Sequence, residues 1–223
     1  MVPQAVPRLI DEWRVAGSPA QSGIAWPRQR WSDQFPAHAA ALAALPDLLS
    51  RPLLRQSCQD AADSPAAALT AFLTVMAWGY GRVGYGPFRV QRILASVPDP
   101  GRCLQAAAAT LVRSGPTPAY ALMGDNGVPR LPGLGPAFGT KYLYFCSPPG
   151  NHPALILDRL VAAWLRANTG IRLNEVRWSA RTYERYLAAM SGWAEEMAVT
   201  DDELEACIFS DQAKAAGGQW APS

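Results

Sequence analysis

Apolar residues recur along this chain at helical spacing, and no stretch shows a convincing two-residue alternation, so the pattern predicts an all-α fold without internal repeats. The strongest signal begins at Ser64-Pro-Ala-Ala-Ala, where Ser64 caps a helix, Pro65 fits its first turn, and apolar residues continue to Trp78. Gly79-Tyr-Gly-Arg-Val-Gly-Tyr-Gly86 then interrupts it. Further helices are expected over 87–97, 100–114 (stopped by Gly115), 136–145, 158–168 (stopped by Gly170), 179–197 and 200–209. Two weaker segments, 37–45 and 46–54, are separated at Pro46. Residues 1–36 are rich in Pro and Trp and read as an irregular arm packed on the body by its aromatics, after a short helix over 9–15. The division expected is this arm and an all-α body over 37–223.

Composition narrows the function classes. With 49% hydrophobic and 17% charged residues, the chain is an ordinary soluble globular protein of one core or two small lobes. Its net charge of +2 does not argue for nucleic-acid binding unless the arginines gather on one face. The start lacks a signal peptide's basic-then-apolar pattern, and the longest apolar run, 66–78, is too short to span a bilayer. The expected location is therefore cytoplasmic. Cys58, Cys103, Cys146 and Cys207 form no CxxC pair and read as reduced, mostly buried small hydrophobes. His38 and His152 are the only histidines, in no metal-binding spacing, so neither a metal nor another cofactor is expected. Two histidines also give little support to a Ser-His-Asp or Cys-His apparatus. The chemistry narrows to carboxylates, a lysine, or none.

Lysine has almost disappeared from this chain: of 20 cationic side chains, 18 are arginine and only Lys141 and Lys214 are lysine. Arginine stays protonated and forms no Schiff base, whereas a partly buried lysine can be tuned for nucleophilic work. Lys141 is thus either a surface lysine snorkelling off its helix or an amine that the chemistry requires. The segment before it, Leu131-Pro-Gly-Leu-Gly135, has the makings of a tight turn that lets backbone approach a phosphate. Pro132 stiffens it, Gly133 and Gly135 supply unusual backbone conformations, and the helix from Pro136 would point free N–H groups at an anion. The same pattern also suits a purely structural turn. Seventeen residues after Lys141, Asp158 follows Leu155-Ile-Leu and opens an apolar helix. Its simplest role is an N-cap, and a capping carboxylate beside an apolar pocket can also be a fixed negative charge or a general base.

Taken together, Leu-Pro-Gly-Leu-Gly135, Leu134-Gly-Pro-Ala-Phe-Gly-Thr-Lys-Tyr-Leu-Tyr-Phe145, Ile156-Leu-Asp-Arg159, Trp78-Gly-Tyr-Gly81 and Gly84-Tyr-Gly86 resemble the helix-hairpin-helix DNA glycosylases. The likeness is to the bacterial proteins with the 8-oxoguanine glycosylase fold, and it spans roughly 70–165, with the hairpin and catalytic segment at 131–165. One departure is that Pro136 to Thr140 separate Gly135 from the lysine; they are either extra hairpin or an added helical turn. The helix before the hairpin is also indistinct, because Gly124, Gly127 and Pro129 lie where it should run.

The resemblance implies a two-lobed all-α fold with a cleft between the lobes, and an enzyme acting on double-stranded DNA that carries a damaged or modified base. It implies Lys141 as the Schiff-base nucleophile and Asp158 as its charged partner, with Gly133, Gly135 and Arg130 against the phosphates. Phe145, four residues beyond Lys141 on the same helix face, would stack on an extruded base or else be core. Trp220 would close the other side, and Trp78, with Tyr80 and Tyr85, lines the cleft or packs the interior. The implied activity is an 8-oxoguanine or related glycosylase with abasic-site lyase activity in base excision repair. The alternatives are a glycosylase for a different modified base, such as one in foreign DNA, and a non-catalytic helical DNA-binding module.

Overall fold

A computed structural model describes residues 1–124, 130–150, 153–174 and 176–215. Among these it shows twelve α-helices, one 3-10 turn and one pair of two-residue strands, an all-α fold as the periodicity predicts. In chain order the helices are α1 (Ala5–Val15), α2 (Arg28–Gln34), α3 (Ala39–Ala43), α4 (Arg51–Cys58), α5 (Pro65–Tyr80) and α6 (Gly86–Leu94). They continue as α7 (Pro100–Ser114), α8 (Pro116–Met123), α9 (Pro136–Cys146), α10 (Arg159–Asn168), α11 (Ala180–Met197) and α12 (Asp201–Ala215). Strands β1 (Ile24–Ala25) and β2 (Leu48–Leu49) pair antiparallel.

The centre is α5. Ser64 accepts the Ala67 N–H at 3.1 Å, and from Ala71 to Tyr80 every residue is buried. A helix apolar on all sides must be enclosed by others, and α5 packs against α4, α6, α7 and α9. The crossing with α7 is close: a Cβ at Gly101 would lie 2.6 Å from the Pro65 carbonyl oxygen, a backbone atom that cannot swing away. Gly101→Ala is therefore expected to destabilise the protein. Overpacking of this kind costs about 1–3 kcal/mol, and a gain in helix propensity offsets at most about 1 kcal/mol. Urea unfolding should show a lower midpoint at unchanged slope.

Local capping accounts for several boundaries. Asp99 accepts the Arg102 N–H at 2.9 Å to open α7, which ends before Gly115 as expected. Thr200 and Glu203 form a reciprocal capping box ahead of α12, with Thr200 N–H donating to Glu203 Oε2 at 2.8 Å and Glu203 N–H to Thr200 Oγ1 at 3.3 Å.

Three expectations need correction. Residues 1–36 are not an irregular arm after one short helix: they hold α1, β1 and α2, and Val6, Ile10, Trp26, Trp31 and Phe35 belong to the common core. The segment 46–54 is not a helix from Pro46. Leu48–Leu49 pair with β1, and the helix begins after Ser50, which caps it through the Leu53 N–H, with Pro52 in the first turn where a missing N–H costs nothing. Finally, α8 was not anticipated. Its Pro116 and Pro118 look like breakers, yet both sit in the first turn. All four cysteines are buried free thiols.

Candidate active site

Leu131-Pro-Gly-Leu134 forms a tight turn closed by the Leu134 N–H donating to Leu131 O at 3.1 Å. Gly133 has φ +85°, the conformation that the third position of a type II turn requires, with proline in the second place. Gly135 differs: its backbone is extended, open to any residue, but no atom lies within 4 Å of where its Cβ would be. It forms the N-cap of α9, and no side chain caps that helix. Arg130 stands exposed just before the turn. The five residues after Gly135 are helix, so Lys141 is the sixth residue of α9, about a turn and a half inside it.

Lys141 is not a snorkelling surface side chain. It is only 5% exposed, and its Nζ lies 3.7 Å from Asp158 Oδ2, with the Ala137 carbonyl at 3.4 Å. Gly79 of α5 makes room for it, since a Cβ there would come within 3.3 Å of Lys141 Cδ and 3.0 Å of the Phe138 ring. Burial, the largest influence, holds the amine below the usual lysine range. Asp158 and then Glu205 pull the other way, and Arg51 adds a smaller push down.

Asp158 divides its two oxygens between structure and charge. Oδ1 accepts the N–H groups of Leu160 and Val161 at 3.0 and 3.1 Å, capping α10. Oδ2 faces the amine. What brings the carboxylate there is the buried irregular segment 154–157. Its backbone polar groups must find partners, and side chains supply them. Leu157 N–H donates to Thr140 Oγ1 at 2.9 Å, Ala154 N–H to Ser147 Oγ at 2.9 Å, and the hydroxyls of Tyr183 and Tyr186 donate to Leu155 O and Ile156 O at 2.8 and 3.0 Å. Thr140 immediately precedes Lys141, so one hydroxyl ties the lysine's helix to the strap that carries Asp158.

The structure does not give Phe145 the open position of a base-stacking wall. It is 1% exposed, with the ring of Trp78 edge-on at 5.0 Å and that of Tyr144 at 4.8 Å. Core packing explains it: the helix face shared with Lys141 is turned inward along its whole length, every residue of α9 from Phe138 to Cys146 being buried. Trp78 is likewise interior, at 3% exposure, though its Nε1 has no hydrogen-bond partner. Tyr80 is buried and stacked on Phe138 at 4.4 Å, while Tyr85 is exposed. Trp220 lies outside the described residues, as do Gly127 and Pro129.

Sequence reasoning missed four residues around α9 and its amine. Phe138 has its ring centre 5.4 Å from Lys141 Nζ, and Trp178 covers Gly139 and donates its indole N–H to Leu134 O at 3.3 Å. Glu205 of α12 is fully buried, ion-paired to Arg51 of α4 at 2.9 Å. One acidic residue among the five of α12 carries no signal that it reaches a site formed by residues 131–158.

A buried amine set beside a capping carboxylate, on a helix entered through a tight glycine turn, suits imine chemistry at an electrophilic carbon. Comparison with known proteins gives one result. The family model described as "Putative 8-oxoguanine DNA glycosylase OGG-like protein" matches residues 17–209, and the chain belongs to that family. No curated protein and no solved structure matches it.

Proposed function

We propose that this member of the OGG-like family is a DNA glycosylase with abasic-site lyase activity, removing 8-oxoguanine or a related modified base from double-stranded DNA in base excision repair. The observation that carries this reading is the Lys141 amine, buried and kept below the usual lysine range, 3.7 Å from the capping carboxylate of Asp158.

The duplex lies in a cleft between two lobes, and the damaged nucleotide is turned out of the stack toward the amine. The turn at 131–134, the open N-terminus of α9 and Arg130 contact phosphates, with the backbone at Gly133 and Gly135 approaching closely. The lone pair of Lys141 Nζ attacks C1′ as the C1′–N bond breaks, and the bonding pair leaves with the base, which takes up a proton. Asp158 Oδ2 stabilises the positive charge that develops on the sugar. One proton passes from nitrogen to O4′ as the C1′–O4′ bond breaks, which opens the ring and leaves the protonated imine. Removal of a C2′ proton then expels the 3′ phosphate by β-elimination. Among the described residues no helix is long and apolar enough to cross a membrane.

The test is borohydride trapping on three duplexes: one with a single 8-oxoguanine, one with an abasic site, one undamaged. Adducts are expected on the first two only. Trapping on the abasic duplex alone would retain the lyase and redirect the search to another base. No adduct on any duplex would make a binding module the better reading. The trapping rate should rise with pH as the amine loses its proton and level off below the ordinary lysine pKa of 10.5, because burial has moved the midpoint down.

A further inference from the structure

Around Tyr144, three residues after Lys141 on α9, lies a second polar cluster that the proposed reaction does not use. Arg51 Nη1 donates to Glu205 Oε2 and to the Tyr144 hydroxyl, both at 2.9 Å, and its Nε donates to Gln21 Oε1 at 2.7 Å. Arg55 pairs with Asp202 at 2.8 Å, and Tyr144 donates to that same carboxylate at 3.2 Å. Glu205 is 0% exposed, and its second oxygen, Oε1, is buried with no hydrogen-bond partner. A fully buried carboxylate with one oxygen unsatisfied is expensive, so a fold that needed only a cross-link between α4 and α12 would gain by replacing it with an apolar pair. The pair is tied to the site through α9: the same Arg51 nitrogen that holds Glu205 also holds the hydroxyl of Tyr144, three residues after Lys141 on that helix, and Glu205 favours the charged form of the amine.

We propose that Glu205, anchored by Arg51, is a positioning residue that sets the charge carried by the Lys141 amine. The amine sits between opposing influences. Facing it are Asp158 at the start of α10, Glu205 of α12 and Arg51 of α4. Facing Glu205 are Arg51, Asp158 and Lys141, the phenols Tyr144 of α9 and Tyr183 and Tyr186 of α11, and the Cys207 thiol of its own helix. Burial pushes those phenols and that thiol above their usual ranges, so near neutrality they carry no charge; it pushes the Glu205 carboxyl up as well, and Arg51 is what holds that carboxyl down. Of the two, Glu205 raises the amine more than Arg51 lowers it. Burial disfavours the charged amine, and Asp158 first and Glu205 second favour it, so Glu205 works with Asp158 to hold the proton on Lys141.

This inference deepens the lyase reading but does not depend on it, because the chain's two lysines allow a direct measurement. With lysine labelled at Cε with carbon-13, NMR titration of the free protein gives two signals, Lys141 and Lys214. In Glu205→Gln the Lys141 midpoint is expected to fall, with Lys214 unmoved. The double variant Arg51→Met, Glu205→Gln leaves neither buried charge unpaired and keeps the test available if the single variant does not fold; its midpoint should also fall, by less. Coincident titrations of Lys141 in the wild type and whichever variant folds would overturn the proposal. Trapping on abasic DNA then separates the two ideas. An acid-shifted rate profile matching the NMR shift supports both. A shifted Lys141 signal in a protein that forms no adduct supports the charge-setting role and removes the lyase.

Discussion

A Lys141→Gln protein is expected to fold, to bind damaged duplex, and to form no borohydride-stable adduct at all. Excision should fall by more than about a thousand-fold, because the glutamine amide has no basic lone pair to attack C1′. The same substitution should reveal the amine's burial through stability. The native pKa of Lys141 lies below its unfolded value, the direction that burial imposes. Across the pH window below the ordinary lysine range the unfolded chain therefore binds more protons at this position. Wild-type stability consequently rises with pH there, and the contribution fades above the unfolded pKa. Glutamine does not titrate. The Tm difference, variant minus wild type, should favour the variant most at the acidic end of this window and shift toward the wild type as pH rises. A difference flat across the window would mean that the site does not disfavour the amine's charge, and the imine mechanism would lose its activated nucleophile.

Which parts of this arrangement could be read from the chain alone follows from the range of the interactions involved. Lys141, Asp158 and the glycine turn were legible because their signals are local: a helix start, a cap two and three residues from the groups it satisfies, a Pro-Gly pair in a turn. The all-α fold was legible for the same reason, and the end of α7 followed from Gly115 alone. Inward or outward direction was not. Phe145 shares a helix face with Lys141, as spacing predicted, but periodicity cannot say that this face meets α5 and Trp78 rather than an open cleft. Glu205 and Arg51 stand 154 residues apart and meet only because α4 and α12 both approach α9. The early arm failed for another reason: α2, Arg-Gln-Arg-Trp-Ser-Asp-Gln, buries only Trp31, so it has no apolar stripe for a periodic reading to find.

Asp158 carries the second large effect, and two substitutions separate its roles. Asp158→Asn keeps an oxygen to accept the Leu160 and Val161 N–H groups, so α10 should stay capped. It removes the charge facing Lys141, and excision of the base should drop about a hundred- to a thousand-fold, the usual consequence of deleting one preorganised group from a developing charge. On a preformed abasic site no base has to be expelled, so the loss of trapping there should be smaller. Asp158 also raises the amine more than any other group does, and its neutral variant should therefore move the trapping profile toward acid. Both variants remove the counter-charge of the amine, but Asp158→Ala loses the cap as well, a cost of about 0.5–2 kcal/mol. It should unfold at lower temperature than the Asn variant while showing the same defect in excision. Were Asp158→Asn to excise at the wild-type rate and only Asp158→Ala to fail, the carboxylate would be a helix cap and nothing more. Charge stabilisation at the sugar would then have to come from elsewhere in the site, with Glu205 the remaining buried carboxylate coupled to the amine.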